Sequence, residues 1–176
     1  MMKSEDNFVE HDYRKPIKYI KRPNYYVYEL YYNHFGDRLL STDIKSDSYY
    51  IGDFNVYFKD VWNRIKKGAN KENYLQDLQI PYVSVNASKS PDNSKVYLMV
   101  INKNLDESIT ANINLVDFTP ARKGDAWILN GPSIDATNEK DPNNVNVKQF
   151  ELEIKDTPFP FTFEPHSFTA IELKRN

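Results

Sequence analysis

The sequence contains no cysteine, so neither disulfides nor thiolate metal ligands are available, and the chain could fold in either redox compartment. Glycine is scarce, with 5 residues in 176, and no glycine-rich phosphate loop can be assembled from them. No charge of one sign dominates: Lys+Arg number 23 and Asp+Glu 25, for a formal net charge of -2. A surface without a basic field does not gather phosphates, and nucleic acid is excluded as an expected partner. No stretch approaches the roughly 20 consecutive apolar residues that span a bilayer, so no membrane partner is expected. The segment from Met1 to Tyr13 carries Glu5, Asp6, Glu10 and Asp12 and lacks the apolar core of a secretory signal, which leads to a cytoplasmic expectation. The length also falls short of a complete (β/α)₈ barrel, which takes about 250 residues.

What the chain does have is aromatic side chains, 14% of its residues with 13 Tyr, enough to build a core despite the low mean hydropathy of -0.71. Residues 1–22 are polar and charged and read as a flexible lead-in. From Asn24 onward Val27, Leu30, Tyr31 and His34 fall at i, i+3, i+4 and i+7, which places them on one helical face. Pro23 suits the first turn of this helix and Gly36 its C′ position, so residues 23–37 read as one helix and its exit. Its apolar stripe needs a partner, and burial at about 25 cal/mol per Å² makes the stripe a docking face.

Beyond Gly36 the hydrophobic period shifts toward two. Ser41 to Ser48 is an ambiguous extended stretch. Residues 53–79 read as an insertion in which Val61, Trp62 and Ile65 suggest a short amphipathic helix. From Pro81 strand signals recur: Tyr82 to Ala87, Val96 to Asn102, Ile109 to Leu115, Ala126 to Leu129, Phe150 to Ile154, Phe159 to Phe163 and Phe168 to Leu173. The Val96 to Asn102 run is apolar on both faces and belongs in the middle of a sandwich. Ile109, Ala111, Ile113 and Leu115 alternate with polar residues, and the short polar loop Lys103 to Glu107 makes the preceding run their expected hairpin partner. About eight short strands with short connections predict an all-β, antiparallel, jelly-roll-like sandwich over residues 38–176, preceded by one helix.

Candidate chemistry is thin. His11, His34 and His166 match no metal-binding spacing; His34 reads as a packing residue on the helix face and His166 as a turn residue. Ser167 beside His166, and Ser133 near Asp135, sit in no Gly-x-Ser-x-Gly elbow and read as turn and strand hydroxyls. Asp135, Glu139 and Asp141, with Asn138, Asn143 and Asn144, could offer oxygen ligands to a hard cation, but they lack the spacing of a calcium loop and read as a solvated loop. No metal or cofactor is expected. A glycosidase needs two carboxyls about 5 to 9.5 Å apart, one of them held protonated, and no acidic residue here is placed among apolar neighbours in a way that would do this. No catalytic residue is therefore assigned. Trp127, between Ala126 and Ile128, reads as core. The group Tyr49, Tyr50, Tyr57 and Trp62 is a candidate sugar-stacking platform, set against the plainer reading that it shields a neighbouring surface.

Several segments together carry a resemblance. The run Tyr25-Tyr26-Val27-Tyr28-Glu29-Leu30-Tyr31-Tyr32-Asn33-His34-Phe35-Gly36-Asp37 resembles the final barrel helix and exit turn of α-L-arabinofuranosidases of glycoside hydrolase family 51. The same chain order continues in Val96 to Asn102, in Leu129-Asn130-Gly131 through Asp135-Ala136-Thr137-Asn138, and in the closing Glu164-Pro165-His166-Ser167-Phe168-Thr169-Ala170-Ile171-Glu172-Leu173. The resemblance covers Pro23 to Leu173 apart from Asp53 to Gln79. It implies the C-terminal sandwich that follows the barrel in these enzymes. Both catalytic glutamates of the family stand upstream, on barrel strands, so neither is carried over. Asn138-Glu139 copies the family's Asn-Glu pair only superficially, without its preceding Gly and strand. The resemblance implies retaining hydrolysis of arabinofuranosides for a whole enzyme, with this chain a noncatalytic accessory domain, inactive alone. Its expected partner is a catalytic barrel or another copy of the chain, met through Val27, Leu30, Tyr31 and His34. A carbohydrate-binding module using Tyr and Trp stacking is the alternative.

Overall fold

In a computed structural model that describes residues 19–50 and 79–176, the expected helix forms at Pro23–Asn33 (α1). Three short strands follow, β1 (Arg38–Leu40), β2 (Ser48–Tyr50) and β3 (Gln79–Pro81). The body of the fold is then β4 (Val83–Lys89), β5 (Lys95–Asn102), β6 (Ile109–Ile113), β7 (Pro120–Asn130), β8 (Asn146–Glu153), β9 (Phe159–Phe163) and β10 (Phe168–Arg175). All pairings are antiparallel. A six-stranded sheet runs β1-β4-β5-β10-β7-β8, and β2-β3 and β6-β9 form two-stranded ribbons. The described residues form an all-β sandwich with one helix. The expected helix within residues 53–79, and most of the lead-in, lie outside the described residues.

The period-two pattern explains the layers. Val96, Leu98 and Val100 of β5, Ile171 and Leu173 of β10, and Ala126 and Ile128 of β7 point to one side, where Phe159, Phe161 and Phe163 of β9 close the core. Ile109, Ala111 and Ile113 of β6 pack against the same cluster, while Thr110 and Thr162 share a 2.8 Å hydroxyl contact on the outside of the ribbon. The opposite side of the large sheet is also apolar at its centre. Met99, Leu129, Val145, Phe168 and Ala170 meet Leu30 of α1 there.

The pairing of β6 corrects the hairpin expected with β5: β6 pairs with β9, in register Ala111↔Phe161, and β5 lies between β4 and β10. The fully buried Asn102 at the end of β5 accounts for the change of layer. Its Nδ2 donates to the carbonyls of Glu107, Phe163 and Glu164 at 2.9–3.2 Å, and its Oδ1 accepts from the amide of Asn104 at 2.9 Å. The loop is thereby tied to the end of β9 instead of turning back along β5.

A second correction concerns the docking stripe. Val27, Leu30, Tyr31 and His34 are not left for another molecule, because the chain's own sheet covers them. Leu30 is 3% exposed, and the Tyr31 ring lies 5.2 Å from Phe35 and 5.6 Å from Phe168. The Tyr31 hydroxyl accepts a 3.0 Å hydrogen bond from Asn86 Nδ2. His34 stacks on Trp127 with ring centroids 3.6 Å apart, so Trp127 serves the helix interface and not the core between the sheets. The covering exists because β5, β7 and β10 carry apolar residues on both faces, and an uncovered second face would cost more than the ordering of an 11-residue helix.

Gly36 lies one residue beyond the expected C′ position, since His34 is the C-cap. It is required by close approach: its amide donates to Ser88 Oγ at 2.8 Å, and a Cβ there would collide with the backbone carbonyl of Lys89. Gly36→Ala is expected to destabilise the chain by about 1–3 kcal/mol, read from the urea midpoint, because β4 must shift away from the helix exit. An unchanged midpoint would show that the two backbones do not meet.

His34 adds a pH dependence. Its Nδ1 is buried without a hydrogen-bond partner and lies 3.7 Å from Glu172 Oε2, too far for a hydrogen bond, while Glu172 Oε1 pairs with Lys95 Nζ at 2.6 Å. Burial pushes the imidazole below its usual 6.5, against the opposing pull of Glu172 and Asp125. A base whose folded value is lowered binds more protons when unfolded, so its stabilisation is present above about pH 6.5 and is lost as the pH falls through the folded value. Unfolding free energy is expected to decline between about pH 7 and pH 5 in the native chain and to decline less in His34→Phe. Equal slopes in the two proteins would remove His34 as the cause.

Candidate functional site

Anchoring its inner face to the sheet leaves α1 with an outer face built from Tyr25, Tyr28, Glu29, Tyr32 and Asn33, which line an open depression of about 410 Å³. The three tyrosines stand at i, i+3 and i+7 and so share one side of the helix. Tyr25 is 45%, Tyr28 73% and Tyr32 88% exposed. At the rim, Lys21 Nζ pairs with Glu29 Oε1 at 3.2 Å and sits 4.5 Å from the centre of the Tyr25 ring. The Glu29 carboxylate raises the ammonium above its usual value. Tyr25 also donates its hydroxyl toward the same carboxylate at 3.4 Å. This face went unread in the sequence. The signal was there: aromatic residues at Tyr25, Tyr26, Tyr28, Tyr31 and Tyr32 run around the helix rather than along one stripe, a pattern that calls for partners on more than one side.

The segment leading into α1 is held by Asn138, which is fully buried and not a residue of a solvated loop. Its Nδ2 donates to the carbonyls of Lys21 at 2.8 Å and Val145 at 2.9 Å, and its Oδ1 accepts from the amide of Val145 at 2.8 Å. Arg22 meets Glu139 at 3.2 Å in the same place. Asp141 accepts from the amide of Asn143, and Asn144 donates to the carbonyl of Thr137, so these groups close turns within the loop. Among the described residues no three His, Cys, Asp or Glu side chains converge as a metal site would require.

Among the described residues, the carboxylates with perturbed proton affinity are shifted the wrong way for acid catalysis. Asp92 is lowered to about 2 by hydrogen bonds from the Ser90 hydroxyl and from the amide and hydroxyl of Ser94, in the turn between β4 and β5. Glu139 is lowered chiefly by the Thr137 hydroxyl, with help from Arg22. A glycosidase acid needs the opposite shift. Glu172, 8% exposed, pairs with Lys95 on the helix side of the sheet, and that pairing raises the lysine. His166 occupies a turn at φ 41°, and Ser167 donates to the carbonyl of Glu164 at 2.7 Å.

Of the candidate stacking group, Tyr49 is half-buried on β2, with its ring 5.1 Å from that of Tyr82 and tilted by 37°. Tyr50 ends the same strand, and Tyr57 and Trp62 lie outside the described residues. Among the described residues no helix is long and apolar enough to cross a membrane.

Comparison with known proteins places this architecture. The chain is similar to the GH51 α-L-arabinofuranosidase of Thermotoga petrophila RKU-1, with 25% identity and a TM-score of 0.67, over 88% of this chain and 29% of that one. The Thermotoga maritima α-L-arabinofuranosidase, solved as an arabinose complex, gives 24% identity and a TM-score of 0.67 over the same shares. The GH51 arabinofuranosidase of Xanthomonas axonopodis pv. citri gives 22% and 0.65, over 88% of this chain and 27% of that one. The chain thus spans less than a third of the length of these proteins. No curated protein matches it. The sequence model of the α-L-arabinofuranosidase C-terminal domain matches residues 11–167, and the chain belongs to that family.

Proposed function

We propose that the chain is the noncatalytic accessory domain of an α-L-arabinofuranosidase-like glycoside hydrolase, and that the whole enzyme removes terminal arabinofuranosyl units. The observation that carries this reading is the extent of the match: a C-terminal domain family covers residues 11–167, yet the similar enzymes are more than three times as long as the region they share with this chain. The bond-breaking carboxylates then belong to the remainder of such an enzyme. The described acidic groups support that division, because those with shifted proton affinity, Asp92 and Glu139, are pinned as anions by turn hydroxyls and amides. Retaining hydrolysis needs one carboxyl that stays protonated while its neighbour, about 5 Å away, attacks. The domain's part is to seat and stabilise the catalytic portion.

The test is an assay of the purified 176-residue chain on an aryl α-L-arabinofuranoside, where no turnover above the blank is expected. Turnover that survives repurification and disappears on substitution of an acidic residue of this chain would overturn the reading. Titration with arabinan or xylan fragments in the same preparation is expected to leave the tryptophan fluorescence unchanged. Quenching that Trp62→Ala abolishes would make carbohydrate binding the function instead.

A further inference from the structure

We propose that Lys103 is a site of covalent acylation, its ε-amine taking the acyl group of an acyl phosphate in preference to the other described lysines. Lys103 follows β5 directly, and its backbone amide donates to the carbonyl of Tyr82 at 2.8 Å, so its main chain is pinned beside the start of β4. From there its Nζ reaches Ser84 Oγ at 2.8 Å, where both residues are half-buried. Among the described residues no carboxylate lies within 4.0 Å of this amine, whereas Lys21, Lys95, Lys123 and Lys174 each have one. The acids nearest in sequence, Asp106 and Glu107, are exposed, and their amides are tied to Asn104 Oδ1 in a closed turn.

Only the neutral amine is a nucleophile, so reactivity turns on how firmly the proton is held. A carboxylate holds it: Glu29, Glu172 and Glu151 raise Lys21, Lys95 and Lys123 above the usual lysine value. Lys103 is lowered instead, because burial penalises its charge and no anion offsets the penalty. Ser84 Oγ accepts one N–H and leaves the lone pair of the neutral amine free to attack. The nitrogen then bonds to the acyl carbon as the bond from that carbon to the phosphate oxygen breaks, and the surplus amine proton departs with the phosphate. With no carboxylate beside the amine to repel it, a dianionic phosphate can approach, which favours this class of donor. The fold also tolerates the product. Acylation of Lys95 would strand Glu172, which is 8% exposed, without its cation, whereas acylation of Lys103 removes a charge that no described carboxylate pairs with.

The experiment incubates the folded 176-residue chain with acetyl phosphate near neutral pH. The protein is then unfolded, its remaining amines are completed with deuterated acetic anhydride, and the light-to-heavy ratio at each lysine is read by peptide mass. Lys103 is expected to carry roughly threefold more light label than the carboxylate-paired Lys123 and the exposed Lys45 and Lys148. Ser84→Asp sets a carboxylate beside the amine and is expected to bring Lys103 down to the level of Lys123, with the circular dichroism unchanged. If that variant does not fold, the ranking within the native chain decides alone. A Lys103 label equal to or below that of Lys45 and Lys148 overturns the proposal. So does a label that Ser84→Asp leaves unaltered in a folded protein, since the lack of a neighbouring carboxylate is then not its cause.

Discussion

The structure depends on a sheet that is apolar on both faces. Strands β5, β10 and β7 send Leu98, Ile171 and Ile128 to one side and Met99, Ala170 and Leu129 to the other. Neither face can stand in water, so the chain must cover the sheet twice. The β6-β9 ribbon, with its row of Phe159, Phe161 and Phe163, closes one side, and α1 closes the other. The helix is therefore part of the sandwich's own packing, whatever else it touches.

That double cover arranges the polar groups as well. On the helix side, Glu172 sits between Lys95 and the neighbourhood of His34, and Trp127 supplies a flat surface for the imidazole. On the sandwich side, Asn102 ties three carbonyls at the point where the chain leaves one layer for the other. Asn138 does similar work for the segment that leads into α1. Both asparagines are almost wholly buried, and each meets its hydrogen-bonding capacity with backbone groups that would otherwise be unsatisfied. These are the demands of holding loops and layers in place, and they take up polar residues that in isolation resemble ligands or catalytic groups.

The helix commits one face to the sheet and leaves Tyr25, Tyr28 and Tyr32 exposed on the other. Its inner contacts hold it in position, so its outer surface has a defined shape.

The one-dimensional pattern sufficed for much of this. Alternation placed β6 and distinguished its wet and dry sides, because side-chain direction in a strand has period two regardless of partner, and apolar runs placed β5, β9 and β10 close to their observed bounds. The 3.6-residue period and Pro23 placed α1 and four residues of its inner face, Val27, Leu30, Tyr31 and His34, but not Tyr26 and Phe35, which pack there too. Partnership was not legible. Alternation states that Ile109, Ala111 and Ile113 face something apolar, but whether that strand pairs with β5 or β9 turns on Asn102, whose hydrogen bonds exist only once residues more than sixty positions apart are together. Likewise the stripe showed that α1 must be covered, while only the assembled sheet decided that the cover was internal and that Tyr25, Tyr28 and Tyr32 were the side left open. Local spacing dictates direction; which surfaces meet is a property of the whole folded chain.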